Sequence, residues 1–160
     1  MSVEHHQDQD CIFCAIAAGG APASVVYEDE LAMVILDLFP VREAHALVIP
    51  RRHAVLVEDL PAGELAHLMD LAQRTIQAQK AAGLAIKGHN LVINDGKAAN
   101  QHVPHVHLHV IPRRGGDTLG MMLGWATRMM NIFGLAARRD RLDRLAGLLR
   151  ERFEPPFSDS

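Results

Sequence analysis

Three histidines alternate with apolar residues in the run His105-Val106-His107-Leu108-His109. An extended strand points successive side chains to opposite faces, with about 6–7 Å between neighbours on the same face. We therefore expect the three imidazoles on one face and Val106, Leu108 and Val110 in a core. The strand should end at Pro112, which cannot donate a hydrogen bond to a sheet. Because an imidazole can act as metal ligand, nucleophile or proton carrier near neutral pH, this run predicts a functional site.

The length and charge of the chain limit its size class and its partners. A chain of 160 residues is expected to form one domain with a sizeable core. The net charge of −3 provides no basic excess for binding long nucleic acid, although a nucleotide needs only a local phosphate site. The sequence lacks a run of about 18 uninterrupted apolar residues, so no membrane-spanning helix is expected.

The amino terminus and the cysteine content bear on the cellular compartment. Residues 1–10 are polar and acidic, unlike a signal peptide, and we expect a disordered leader there before a single domain at residues 11–160. With two cysteines and no export signal, the cytoplasm is the expected location. In that compartment the Cys11-x-x-Cys14 pair indicates a metal site or a redox pair rather than a structural disulfide.

Apolar runs separated by turn residues predict an α+β fold. The main helix is expected from Pro61 to Ala82, where apolar residues follow helical spacing and Gly83 ends the run. Because turns separate the strands and only one main helix is inserted, an antiparallel sheet is favoured over a doubly wound one. About five strands are expected, at residues 25–27, 31–36, 46–49, 91–93 and 105–111.

The carboxy-terminal part has a different composition. Residues 119–133 are rich in Met and Gly around Trp125, the single tryptophan. This segment could pack on its own sheet, form a dimer contact or cover the site, and Trp125 could stack on a bound base or lie in the core. A second helix is expected from Asp140 to Phe153, because leucines recur on one face.

Several motifs, taken together, resemble the histidine triad (HIT) nucleotide-binding proteins. The histidine run followed by Val110-Ile111 is similar to their H-x-H-x-H-x-x signature. The resemblance covers roughly residues 10–115 and leaves residues 115–160 as a family-variable extension. Further matching motifs, in chain order, are Asp10–Cys14, Val26–Glu30, Asp37 with Pro40, His45 with 47–50 and His53, Asn94-Asp95-Gly96 and Asn100-Gln101.

The resemblance implies a HIT-like fold and an activity. Family members cleave a nucleoside phosphoryl bond through a covalent nucleotidyl-histidine, and His107 is the corresponding residue here. The expected substrates are purine nucleoside phosphoramidates, dinucleoside polyphosphates or adenylyl conjugates, and a homodimer is expected. Around the same α-phosphate the resemblance implies His109, His45, Asn94 and Gln101, with Asp37 on the ribose hydroxyls.

His102 departs from the family pattern. Many members have Ser or Thr three residues before the first triad histidine, where the hydroxyl donates to the leaving-group oxygen. A histidine at this position could protonate a departing group, or it could be an exposed loop residue. The departure bears on substrate preference more than on the reaction.

The resemblance also implies one structural zinc ion. Related bacterial proteins use two cysteines and two histidines, which correspond here to Cys11, Cys14, His53 and His105. Four protein ligands leave no open coordination position, so this zinc would hold the amino-terminal segment to the triad rather than activate water. A catalytic metal held by all three triad histidines is rejected, because about 13 Å separates the outer two along a strand.

Two other functions are considered. A nucleotide-binding regulatory protein that acts through a partner is the main alternative, although such a protein has no need of the nucleophile His107. A uridylyltransferase-like activity is disfavoured, because those enzymes have Gln in place of the last triad histidine, which here is His109.

Overall fold

A computed structural model describes residues 10–84, 86–127 and 135–153. Most of the predicted leader, and residues 128–133 of the Met-rich segment, lie outside the described residues. The helices are α1 (Ile12–Ala17), α2 (Ala62–Ala81), α3 (Thr118–Thr127) and α4 (Leu135–Arg150). The strands are β1 (Ser24–Glu28), β2 (Ala32–Leu36), β3 (Ala46–Pro50), β4 (Gly88–Ile93) and β5 (Leu108–Arg113).

The five described strands form one antiparallel sheet in the order β1-β2-β3-β5-β4. This confirms the predicted α+β class and the predicted sheet. The register aligns one row of residues across four strands, with His109 opposite Leu47, Leu47 opposite Ile35 and Ile35 opposite Val25. The row therefore connects the last triad histidine to the edge strand β1.

Alternation along the strands divides the core between the two faces of the sheet. On one face Val34, Leu36 and Val48 pack with buried residues of α2 and α4. On the other face Met33, Ile35 and Leu47 pack with Phe13 and the cysteines of the α1 segment. The same period places Val106, Leu108 and Val110 in the first core, as predicted.

The two long helices lie close to their predicted positions. Helix α2 ends before Gly83, whose φ of 72° is in the left-handed region that glycine adopts without strain. Helix α4 starts at Leu135, five residues before the predicted start, and buries Leu142 and Leu149. No helix in the described ranges is both long enough and apolar enough to cross a membrane.

The histidine strand differs from the prediction at both ends. The β5 ladder begins at Leu108 rather than at His105. Strand β4 ends opposite Leu108, and although β3 continues to Pro50, the residues before Leu108 form no ladder pairs with it. There the backbone N–H of Val106 donates to the carbonyl of Ala54 instead. The strand continues past Pro112, where it pairs with β4 on one side only, as at a sheet edge that tolerates proline.

Candidate active site and metal centre

The triad histidines contribute to two neighbouring sites rather than to one. The His105 ring points to the cysteines of the α1 segment, with its Nδ1 3.3 Å from the Sγ of Cys11. The rings of His107 and His109 pack edge to face, 4.8 Å apart between centroids. Phe13 lies against both His105 and His107. Helix α1 therefore forms part of both sites.

The cysteines and two histidines converge in a buried cluster, as the resemblance implied. One potential ligand atom from each of Cys11, Cys14, His53 and His105 lies within 4.8 Å of the other three. The Sγ of Cys14 is 3.3 Å from Nδ1 of His53 and 3.6 Å from Nδ1 of His105. A tetrahedral site with bonds of about 2.0–2.3 Å requires separations of roughly 3.5 Å between ligand atoms.

The environment of His105 prepares it for metal coordination. Its Nε2 donates a hydrogen bond to the carbonyl of Pro50 at 2.9 Å, which leaves the lone pair on Nδ1, facing the sulfurs. Burial lowers the pKa of His105 to about 4, so the ring is neutral near pH 7. The donor set and the tautomer both fit a four-coordinate metal with no open position.

His107 is oriented by a backbone carbonyl. Its Nδ1 donates to the carbonyl oxygen of His105 at 2.7 Å, which assigns the proton to Nδ1 and the lone pair to Nε2. The ring is 6% exposed and lines a cavity that lies over the sheet. A neutral imidazole held in one tautomer, with its lone pair on the second nitrogen, is suited to nucleophilic attack.

His45 and His109 share a hydrogen bond behind the cavity. The backbone N–H of Val41 donates to Nδ1 of His45 at 3.3 Å, so Nε2 carries the ring proton and donates to Nδ1 of His109 at 3.0 Å. His109 then carries its own proton on Nε2. His109 lines the cavity whereas His45 is fully buried, so His45 orients His109 from behind.

A cavity of about 400 Å³ lies over the sheet next to these histidines. Its polar part is lined by the histidines, by Asn94 and by Asp37, whose Oδ1 accepts the N–H of Phe39 at 2.9 Å. Its apolar part is formed by Ile12, Phe13, Ile16, Ile35, Leu38 and Leu47. An apolar slot with a few convergent polar groups is typical of a small-molecule site.

The loop before the triad contributes residues in two ways. Asn94, Asn100 and His102 line the cavity. Gln101, which the resemblance implied at the phosphate, instead braces the loop, because its Oε1 accepts the N–H of Gly96 and its Nε2 donates to the carbonyl of Val55. Its side chain does not line the cavity.

A cluster of ion pairs around Asp117 holds helix α3 beside the triad. Asp117, just before the helix, accepts hydrogen bonds from Arg113 and Arg42. The Arg113 guanidinium holds the pKa of the Asp117 carboxyl well below its usual range. A side chain at Gly124 would come within 3.3 Å of the Val41 carbonyl, so glycine lets the helix approach the loop that carries His45.

Trp125 extends from α3 to the cavity. Its ring lies edge to face against His109, 5.4 Å between centroids, and it lines the cavity. The same helix leaves Leu119, Met122 and Leu123 exposed. The described contacts of the helix include His109 of β5 and the loop before β3, and the three interpretations of this segment stay predictions.

Some cavity residues were not identified from the sequence. Asn100 has a φ of 61°, a conformation that Asn adopts more readily than most residues, which is a weak signal for a tight loop. The apolar residues of the cavity wall resemble ordinary core residues in the sequence, because no periodicity distinguishes the two groups. Arg139 of α4 also lines the cavity and lies in the part of the chain that the resemblance did not cover.

Comparison with known proteins gives one family. The HIT domain pattern matches residues 18–116. An uncharacterized HIT-like protein of Mycobacterium tuberculosis is 48% identical over 118 residues, 74% of this chain and 81% of the relative. The adenosine 5′-monophosphoramidase HNT1 of Saccharomyces cerevisiae is 36% identical over 78% of this chain and 75% of the relative.

The fold comparison agrees. A Zn-bound histidine triad family protein from Mycobacterium smegmatis superposes with a TM-score of 0.66 at 41% identity, over 85% of this chain and 97% of that one. The HIT domain pattern, at residues 18–116, contains the five strands, α2 and the histidine run. The chain therefore belongs to the HIT domain family.

Proposed function

We propose that the protein hydrolyses purine nucleoside phosphoramidates through a covalent nucleotidyl-His107 intermediate. The observation that carries the proposal is the 2.7 Å hydrogen bond from Nδ1 of His107 to the carbonyl of His105, at the wall of a nucleotide-sized cavity. It is supported by the yeast relative's name, adenosine 5′-monophosphoramidase. Related substrates are dinucleoside polyphosphates and adenylyl conjugates.

The reaction has two displacements at the α-phosphorus. First, Nε2 of His107 forms a bond to phosphorus, and the bond from phosphorus to the leaving amine breaks as the amine takes up a proton. Water then attacks phosphorus and releases one proton to solvent, the bond from phosphorus to Nε2 of His107 breaks and the nucleoside monophosphate leaves. The electron pair returns to Nε2, which regenerates the ring.

The other cavity groups fit supporting roles. His109 presents an N–H whose direction is set by His45, suited to the negative charge that grows on the phosphoryl oxygens. Asn94 can donate to the same oxygens from the cavity wall. The buried carboxylate of Asp37 is suited to two hydrogen bonds from vicinal ribose hydroxyls. Trp125 lies edge to face against His109 at the cavity wall, where it can contact a bound substrate.

We further propose that zinc occupies the Cys11, Cys14, His53 and His105 cluster as a structural ion. The thiolate and imidazole donor set suits zinc, and the neighbour from M. smegmatis is described as Zn-bound. The metal would hold α1, and with it Phe13 of the cavity wall, against the triad. A homodimer and a cytoplasmic location remain proposals that follow from the sequence.

A substrate panel tests the proposed function. Adenosine and guanosine 5′-phosphoramidates, diadenosine polyphosphates and an adenylyl sulfate are incubated with the purified chain, and released nucleoside monophosphate is measured by chromatography. We expect monophosphate release, fastest from a phosphoramidate. Tight nucleotide binding without release from any substrate would instead favour the regulatory binding protein.

His102 is expected to act as the proton donor to poor leaving groups. It lines the cavity at the position where many family members have Ser or Thr. We expect His102→Ala to lower kcat about 10²-fold for a phosphoramidate of a basic alkylamine, and only slightly for a p-nitrophenyl ester of adenosine monophosphate, whose leaving group needs no proton.

The His102→Ser variant is the matched control, because it restores a hydroxyl donor at the same position. It should recover part of the lost rate on the alkylamine substrate. An equal loss on both substrates would indicate that His102 only positions the loop, and no loss on either would show that this exposed residue takes no part in the reaction.

A further inference from the structure

Arg139 lies at the end of the cavity away from the triad. Helix α4 carries it to the start of the edge strand β1, where its Nη1 is 3.4 Å from the Oγ of Ser24. The Ser24 hydroxyl donates to Oδ1 of Asp143, so its oxygen accepts from the arginine. The cavity residues just before β1 are Ala21, Pro22 and Ala23, which are small and apolar.

The order of the strands in the sheet gives the approximate distance between the two ends of the cavity. Strand β1 is three strands away from β5, which corresponds to about 14 Å at a spacing of 4.8 Å. The phosphate groups of a bound nucleotide belong at the His109 end, and Asp37 marks the ribose between the ends. The apolar slot formed by Ile16 and Ile35 then receives the base.

We propose that Arg139 binds the outer edge of the base and makes the enzyme selective for guanine nucleotides. The guanidinium carries five N–H donors and no acceptor, and the contact with Ser24 uses one of them. Guanine presents two adjacent acceptors, N7 and O6, which match a guanidinium fork. Adenine presents N7 beside an amino donor, which opposes the same fork.

This proposal rests on the proposed function for the position of the nucleotide. It extends the proposed function by naming the preferred base. The HIT domain pattern matches residues 18–116, so Arg139 belongs to a helix outside the matched residues. The base preference would therefore be a property of the extension rather than of the catalytic sheet.

The test compares guanosine and adenosine 5′-phosphoramidates with the same leaving group. In the wild type we expect kcat/KM to be about tenfold higher for guanosine, within the range that a bidentate arginine contact provides. Arg139→Gln should abolish this ratio, mainly by slowing the guanosine substrate. Arg144→Gln removes the same charge from an exposed position on α4 and should keep the ratio.

Binding measurements separate this proposal from the proposed function. Calorimetric titration with guanosine and adenosine monophosphates needs no turnover, and the wild type should bind guanosine monophosphate more tightly while Arg139→Gln binds both alike. If neither phosphoramidate is cleaved but this binding difference holds, the proposed hydrolysis fails and the base proposal stands.

Two results would overturn the base proposal. One is an unchanged ratio of guanosine to adenosine affinities in Arg139→Gln. The other is a ribose-phosphate effect, in which the variant loses affinity for adenosine 3′,5′-bisphosphate but not for guanosine monophosphate. The second result would assign Arg139 to an anionic group on the ribose instead. Melting curves of both variants check that α4 remains folded.

Discussion

Replacing His107 with alanine is expected to lower the rate of nucleotidyl transfer by on the order of 10³- to 10⁶-fold while nucleotide binding persists. The reason is that the proposed nucleophilic nitrogen is lost, whereas His109, Asn94 and Asp37 keep their places around the cavity. Rapid quench with α-labelled substrate measures formation of the covalent nucleotidyl adduct directly. Wild-type protein should accumulate an acid-labile labelled adduct, and the variant should not.

A histidine outside the site provides the control for this prediction. His67 lies on α2 and pairs with Asp29 at 2.8 Å, so His67→Ala should retain the adduct and wild-type turnover. Calorimetric titration with a nucleoside monophosphate checks that His107→Ala still binds. Turnover at the wild-type rate in His107→Ala would disprove the covalent mechanism through His107.

The parts of the fold that follow a short period were predictable. Alternation over two residues predicted the strands and placed Val106, Leu108 and Val110 in the core, and helical spacing predicted α2 almost to the residue. The start of β5 was not predictable, because it depends on long-range partners rather than on the histidine run: β4 ends opposite Leu108, and the N–H of Val106 donates to the carbonyl of Ala54 instead of to β3. Local pattern determines the element, whereas its partners determine its boundary.

The site residues also fall into a predictable and an unpredictable group. His107 and the four metal-site residues stand in motifs with fixed spacing, and they converge as expected. His45 and Gln101 stand in matching motifs too, yet their side chains lie behind the cavity and in the loop, because long-range hydrogen bonds decide which way they point. Motif position alone does not distinguish a residue that touches substrate from one that orients its neighbour.

The extension was the least predictable part. The glycines in α3 favour a turn by local preference, but Gly124 is needed because the helix packs closely on the Val41 carbonyl. Near the start of α4, Arg138 donates to the carbonyl of Leu38 and Arg139 to the hydroxyl of Ser24. These two arginine contacts join residues 100 or more positions apart, so no local pattern contains them.

Loss of the metal is the second large effect that we expect. Cys14 lies near both histidines of the cluster, so Cys14→Ser should reduce bound zinc from about one ion per chain to nearly none. The ion would connect Cys11 to His105, and a link that closes a loop of about 100 residues is worth on the order of 4–5 kcal/mol. For a chain of this size we therefore expect the melting temperature to fall by roughly 10 °C.

Metal analysis and melting curves of the wild type, Cys14→Ser and His67→Ala test this prediction. His67→Ala, which alters a histidine outside the cluster, should keep both the zinc and the melting temperature. Because α1 carries Ile12, Phe13 and Ile16 of the apolar slot, the zinc-free variant should also bind nucleoside monophosphates more weakly. Stable, metal-free wild-type protein with a Cys11–Cys14 disulfide would point to a redox pair. In that case reductant, rather than chelator, should change its melting temperature, since the link to His105 would never have formed.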